Sequence, residues 1–194
     1  MIEIKTNNEN NIHDIIEKDL FNERIININD DVSSYILDDY IPLIQRINLE
    51  DDNNGINPED RKPIKIYVNS YGGSVYDGWS LISHIVSSKT PVWTYCYGYC
   101  MSMGLSIFAA GHRRFMSKYA TLMYHELSSR LEGSREEIKR QSEEFDRLQK
   151  VYDEFLIERS KLDQDTLIKH QKNVNDWYID HDTAIELEIA TDSI

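Results

Sequence analysis

The chain has 194 residues and a mass of 22.8 kDa, with 40% hydrophobic and 28% charged positions, enough to bury one ordinary core and too few for two independent domains. Its 8 glycines and 4 prolines form no periodic tract, which excludes collagen-like, mucin-like and solenoid architectures, and the hydrophobic content excludes global disorder. A net charge of −13 repels phosphate backbones and excludes nucleic acid as a first-choice partner.

Met1-Ile2-Glu3-Ile4-Lys5 leads into a polar, asparagine-rich segment, residues 1–23, with no apolar run of signal-peptide length. The two cysteines, Cys96 and Cys100, cannot build a disulfide framework and have no second pair of correctly spaced ligands for a metal. Both features point to a reducing, cytoplasmic setting, and no cofactor motif is present.

The first β-branched run, residues 24–29, predicts a strand that ends at Asp30-Asp31. Ser33 and Ser34 then offer caps for a helix carrying Ile36, Leu37, Ile41, Ile44 and Ile47, with Pro42 expected to kink or end a turn. Residues 50–63, polar with Gly55, Pro58 and Pro63, read as a surface loop. The unit recurs: residues 64–69 are a strand, Gly72-Gly73 a tight turn, and residues 76–88 a helix with Trp79, Ile82, Ile85 and Val86 on one face. A third copy has a strand over 92–97, a turn at Gly98 and a helix from about 101 to 110.

Residues 90–111 carry no acidic or basic side chain and so imitate a membrane span. Pro91, Gly98, Gly104 and Gly111 interrupt them, and Thr94, Ser102 and Ser106 dilute them, so they read as a buried strand turning into a short buried helix. Strands alternating with helices predict an α/β architecture with parallel strands, whose loops at the strand C-terminal ends carry the chemistry. Residues 113–116 and 121–125 read as further strands. Ser134 and Glu137 stand at capping-box spacing and open a long helix, to about residue 160, with Ile138, Phe145, Leu148, Tyr152 and Phe155 as its apolar stripe. At about 1.5 Å per residue it spans roughly 40 Å, more than a domain of this size needs, so its stripe is expected to meet another subunit.

Ser102, in Gly98-Tyr99-Cys100-Met101-Ser102-Met103-Gly104, stands just after a buried strand at a helix start, where N–H groups and the helix dipole favour developing negative charge. Such a hydroxyl can be a nucleophile, or equally a cap or a packed small residue, and the Gly-x-Ser-x-Gly elbow is absent. Cys100 is the rival nucleophile. A nucleophilic serine needs a base, and among six histidines His125 ends an apolar strand that would carry it to the sheet rim; His84, His112, His170 and His181 lie in helical or polar settings. Asp176 precedes an aromatic pair that could bury it, though among so many acidic residues it is not selected alone. Gly72-Gly73 lacks the spacing of a phosphate loop and fits an oxyanion site better, since glycine lets free N–H groups approach a reacting carbonyl.

Taken in order, these stretches resemble the Clp protease proteolytic subunit family, ClpP, from Arg24 nearly to the C-terminus. The carriers are residues 24–28, Ile66 to Val75 around Asn69-Ser70-Tyr71-Gly72-Gly73, Gly98 to Gly104, Tyr124-His125-Glu126, Asp176-Trp177-Tyr178-Ile179 and Thr191-Asp192-Ser193. The resemblance implies an α/β fold of repeated ββα units, crotonase-like, in one peptidase domain over 24–194 with a protruding helical handle at about 128–162. It also implies a Ser102, His125, Asp176 triad, with backbone N–H groups of Gly73 and Met103 as the oxyanion hole, in a serine endopeptidase without a metal. Heptameric rings stacked as a tetradecamer, and an ATP-driven AAA+ unfoldase that feeds unfolded protein, follow from the same resemblance. Departures are Tyr71 for proline, Cys100 and Met101 for two alanines, Glu126-Leu127 for Gln-Pro, and Asn175 before the aspartate, so cleavage preference is not carried over. Rival readings are a phage capsid-maturation peptidase of the same fold, an inactive ring-forming scaffold, and a crotonase-type acyl-CoA enzyme that would not need the three residues together.

Overall fold

The β-branched runs pair into a mainly parallel sheet. A computed structural model describes residues 9–172 and 176–194; Met1 to Lys5 and Asn175 lie outside the described residues. Helix α1 spans Glu9–Asn22, strand β1 Ile25–Ile28, helices α2 and α3 Tyr35–Asp39 and Ile41–Asn53, and β2 Ile64–Val68. Then come α4 (Val75–Val86), β3 (Val92–Cys96), β4 (Tyr99–Met101), α5 (Met103–Ala110), β5 (Arg113–Met116) and β6 (Thr121–Tyr124). The chain closes with α6 (Arg135–Glu158), α7 (Gln164–Gln171), β7 (Trp177–Ile179), α8 (His181–Glu186) and β8 (Asp192–Ser193). The order β3-β4-α5 followed by β5-β6-α6 gives two successive ββα units, the mixed α/β fold expected from the sequence.

Five strands in the order β1-β2-β3-β5-β8 are all parallel, and a second sheet, β4-β6-β7, joins β4 and β6 in parallel and β6 and β7 antiparallel. Along β2 and β3 burial alternates strictly, so Ile64, Ile66, Val68, Val92, Thr94 and Cys96 face the core. The other face is an aromatic row: Tyr67 stacks on Tyr95 at 4.8 Å, Tyr95 on Phe115 at 4.7 Å, and the Arg113 guanidinium lies 5.2 Å over Trp93. All eight residues of α5 are buried. Residues 90–111 are therefore the centre of the core, and no helix among the described residues is long and apolar enough to cross a membrane.

Several boundaries differ from the sequence reading, each for a tertiary reason. The helix expected after Ser33 breaks at Tyr40 into α2 and α3, with Pro42 in the first turn of α3, where its missing N–H costs nothing. Ser34 occupies the N-cap of α2 without a side-chain capping bond. Residues 50–63 are not all surface loop. Helix α3 continues to Asn53, and Asp51 is fully buried, paired with Arg24 at 2.5 Å and accepting from the Thr90 hydroxyl at 2.8 Å. Met101 belongs to a strand rather than a helix, because Tyr99 to Met101 pair with Thr121 to Met123 and Met101 N–H bonds Ser70 O at 3.0 Å.

The long helix begins at Arg135, not near 128, behind a complete capping box between Ser134 and Glu137. Its 24 residues span about 36 Å. Leu148, Tyr152 and Leu156 are buried within this chain's own core, so the second half of the stripe is already covered, while Ile138 stays exposed.

Candidate active site

The topology collects four strand-end loops. Strand β2 leads through Ser70 to Gly73 into α4, β4 leads through Ser102 into α5, β6 ends at Tyr124 before His125, and Asp176 stands at the entry to β7. In the antiparallel β6–β7 pair Tyr124 opposes Trp177, so one step further His125 opposes Asp176. In the parallel β4–β6 pair Met101 opposes Met123, and the Ser102 N–H donates to Met123 O at 2.8 Å, which sets Ser102 beside the end of β6. Residues far apart in sequence thus meet through register.

Ser102 Oγ lies 2.8 Å from His125 Nε2. The Ser102 backbone has φ 52° and ψ −123°, a conformation that costs a non-glycine residue about 1–3 kcal/mol and persists only where the surroundings impose it. Here they do: Met123 O holds the N–H, and the Tyr152 hydroxyl donates to Ser102 O at 3.3 Å. The strain turns the side chain out of the strand end at the N-terminus of a fully buried helix. Tyr152 was legible in the sequence only as an apolar stripe position. Asp176 Oδ1 is 3.8 Å from His125 Nδ1, an ion-pair separation longer than a hydrogen bond, and its side chain is 47% exposed. Its Oδ2 accepts from the Tyr178 hydroxyl at 3.3 Å.

Gly72 has φ 102° and Gly73 φ 141°. Neither position tolerates a side chain: a Cβ on Gly72 would stand 2.7 Å from Ser102 Cβ and 2.9 Å from Met103 N, and one on Gly73 would stand 2.3 Å from Val32 O. The close approach sets the glycine pair directly against the start of α5. Val32 brackets Gly73 with Val32 N–H to Gly72 O and Ser74 N–H to Val32 O, both 2.7 Å, so in this parallel bridge the Gly73 N–H points the other way. Met103 is the first residue of α5, and its N–H belongs to the first turn, which has no intrahelical acceptor. Gly73 lines a common cavity with Ser102, and Met103 directly follows Ser102 in the chain. Val32 is a contributor that its sequence context did not signal.

A cavity of about 240 Å³ opens over Ser102 and His125, walled by Tyr71, Val75, Met123 and Leu127. It shares Gly73, Val75 and Ser128 with a larger space of about 660 Å³ between α4 and α6, lined by Tyr76, Leu131, Phe145 and Leu148. Arg147 and Tyr76 hydrogen-bond Glu144 at the wall of that larger space and hold its carboxyl down to about 2. Tyr71 is exposed and packs on Tyr99 at 4.3 Å between ring centres.

Cys100 is fully buried, donates its thiol to Val68 O at 3.3 Å, and is pushed well above its ordinary pKa by burial and by Cys96. It does not compete with Ser102 for His125. The nearest imitation of the site is at the other end of the chain, where His181 Nε2 lies 2.8 Å from Ser193 Oγ and Nδ1 lies 2.8 Å from Asp182 Oδ1. Asp182 is 97% exposed, and Ser193 lies in the two-residue strand β8 with no glycine turn beside it in the chain. His84 and His112 bond to neighbouring chain atoms, and His170 stacks on Trp177.

The family model described as Clp protease matches residues 7–191. The ATP-dependent Clp protease proteolytic subunit 1 of Prochlorococcus marinus (strain MIT 9312) is 29% identical over 169 residues, covering 86% of this chain and 82% of that protein. With a family match over nearly its whole length and a mixed α/β fold built on a mainly parallel sheet, this chain belongs to the Clp protease family.

Proposed function

We propose that the chain is a serine-type endopeptidase that cleaves peptide bonds through an acyl-enzyme, with Ser102 as nucleophile, His125 as general base and acid, and Asp176 as the group that orients the imidazole. The carrying observation is the 2.8 Å contact between Ser102 Oγ and His125 Nε2 at the strained turn that opens α5. In this reading His125 Nε2 takes the hydroxyl proton as Oγ attacks the carbonyl carbon. The carbonyl oxygen becomes an oxyanion between the N–H groups of Gly73 and Met103, where a preorganised donor pair stabilises charge that develops only in the transition state. Collapse breaks the C–N bond, and His125 returns the proton to the leaving amine. Water, deprotonated by the same nitrogen, then releases the acyl group. The cavity over Ser102 gives the scissile carbonyl its place, and the larger space beside it takes a neighbouring substrate side chain.

Asp176 fits a weaker tether than the base contact does. At 3.8 Å and half exposed, its attraction for a protonated imidazole is screened by water, and a hydrogen bond would form only as bound substrate excludes solvent.

The name of the Prochlorococcus relative, a subunit of an ATP-dependent protease, supports two further elements of the proposal: assembly with other subunits, here taken as rings, and supply of substrate by an ATP-driven partner. Native mass spectrometry checks the first, with masses at multiples of seven subunits expected and a monomer at all concentrations rejecting it. The chemical reading is tested by Ser102→Ala, which should lower peptide hydrolysis by roughly 10⁴-fold or more while leaving native mass unchanged. Activity retained within tenfold would remove Ser102 as nucleophile.

A further inference from the structure

Behind the site lies a buried polar cluster that the proposed chemistry does not use. Asp153, on α6, is 4% exposed and has no cationic partner among the described residues. Burying a carboxylate is costly unless hydrogen bonds replace its water, and here they do. Oδ1 accepts from the Tyr124 hydroxyl at 2.7 Å and from Gln149 Nε2 at 2.8 Å, and Oδ2 accepts from Gln171 Nε2 at 2.8 Å. Gln171 Nε2 also donates to the Tyr124 hydroxyl at 2.6 Å.

Each of these partners leads to a residue of the site. Tyr124 is the last residue of β6 and directly precedes His125. Gln149 turns its other end, Oε1, to accept the Leu127 N–H at 2.8 Å, so His125 is bracketed on both sides. Gln171 ends α7, where the preceding His170 stacks flat on Trp177 at 4.1 Å, and Trp177 directly follows Asp176. Tyr152, the neighbour of Asp153 on the same turn, stacks on Tyr124 at 5.5 Å and donates to Ser102 O. One turn of α6 therefore touches the supports of all three site residues.

We infer that Asp153 is a positioning residue, the shared acceptor that sets β6, α6 and α7 in register and thereby fixes His125 and Asp176 relative to Ser102. This rests on the serine-peptidase reading above. A hydrophobic residue of similar size would leave the Tyr124 hydroxyl and the side-chain amides of Gln149, Gln171 and Gln164 without their common acceptor, and three elements would each relax separately. Misplacement of a catalytic group by about 1 Å costs on the order of 10²-fold in rate.

The test measures kcat and KM for a short fluorogenic peptide, with the second-order rate of fluorophosphonate labelling at Ser102, in wild type, Asp153→Leu, Asp153→Asn and Gln171→Leu. Circular dichroism scales each rate to the folded fraction, and Gln171→Leu supplies a milder variant should Asp153→Leu fail to fold. The expected result is a loss of about 10²-fold in kcat and labelling for Asp153→Leu with KM within threefold. Asp153→Asn should recover most of that loss, since an amide oxygen still accepts from Tyr124 and Gln149, and Gln171→Leu should fall between. Folded Asp153→Leu or Gln171→Leu protein that labels at the wild-type rate, or a change confined to KM, overturns the inference alone. A wild-type enzyme that does not label at Ser102 overturns the serine reading and the inference with it.

Discussion

The Gly72–Ser102 contact makes the sharpest prediction about the site, because it converts one methyl group into a displacement of the nucleophile. In Gly72→Ala the new Cβ would stand 2.7 Å from Ser102 Cβ, 2.8 Å from Met101 O and 2.9 Å from Met103 N, and none of these is the far end of a flexible side chain. Restoring ordinary contact with Ser102 requires a shift of roughly 0.7 Å, and a misplacement near that size costs on the order of 10²-fold in rate. The stability cost has two parts: about 1–3 kcal/mol for alanine at φ 102° and about 1–3 kcal/mol for overpacking. A domain stable by about 5–15 kcal/mol survives that loss in most of its range. Gly55→Ala is the control, since its φ of 66° adds strain while nothing lies within 4 Å of the new Cβ. Urea melts and peptide hydrolysis on both variants separate the two effects. Gly72→Ala should lose stability and about 10²-fold in kcat/KM, and Gly55→Ala only a little stability. Gly72→Ala activity within threefold of wild type would refute the claim that this turn positions Ser102.

Two further outcomes follow from the geometry. Asp176→Asn should lower kcat by only about 10–10²-fold, less than the roughly 10⁴-fold known for a buried, hydrogen-bonded triad aspartate, because the tether is long and hydrated; a loss equal to that of Ser102→Ala would show that substrate closes the gap. For Asp51, burial raises the carboxyl pKa, and the Arg24 and Thr90 hydrogen bonds outweigh it, leaving the folded value below the ordinary 3.8. A depressed folded pKa contributes stability that is complete above the unfolded value and is lost as pH falls through the folded one. Asp51→Asn should therefore cost about 3 kcal/mol near neutrality, and its gap to wild type in denaturant melts should narrow below about pH 4. A gap that is constant down to pH 2 would contradict the pairing.

Much of the architecture was legible because local pattern and tertiary role agree. The β-branched runs at 25–28, 64–68 and 92–96 are buried strands, the capping box at Ser134 opens α6, and the uncharged run at 90–111 is the core. What the sequence hid was imposed by partners distant in the chain. Strand β4 exists because β6 and Ser70 pair with it, and the buried Asp51 looked like loop composition because its partners, Arg24 and Thr90, are 27 and 39 residues away. The short α7 and α8 are capped by Asp163 and Asp180, but carry too few apolar positions for a period to emerge. Within the site, residue chemistry alone selected Ser102, His125 and the glycine pair as candidates. Asp176 was marked locally only by the aromatic pair that follows it, which does not select it among the other acids; its place in a triad came from the resemblance, and its approach to His125 is a matter of β6–β7 register.

The central claim is that Ser102, activated by His125, is the nucleophile. Fluorophosphonate treatment of the purified protein, followed by intact and peptide mass analysis, tests it most directly, because an unactivated serine hydroxyl reacts poorly with such a probe. A single adduct on Ser102, lost in His125→Ala, is the predicted result. An adduct on Ser193, beside the imitating His181, or no adduct on a protein that still hydrolyses peptides, would contradict it.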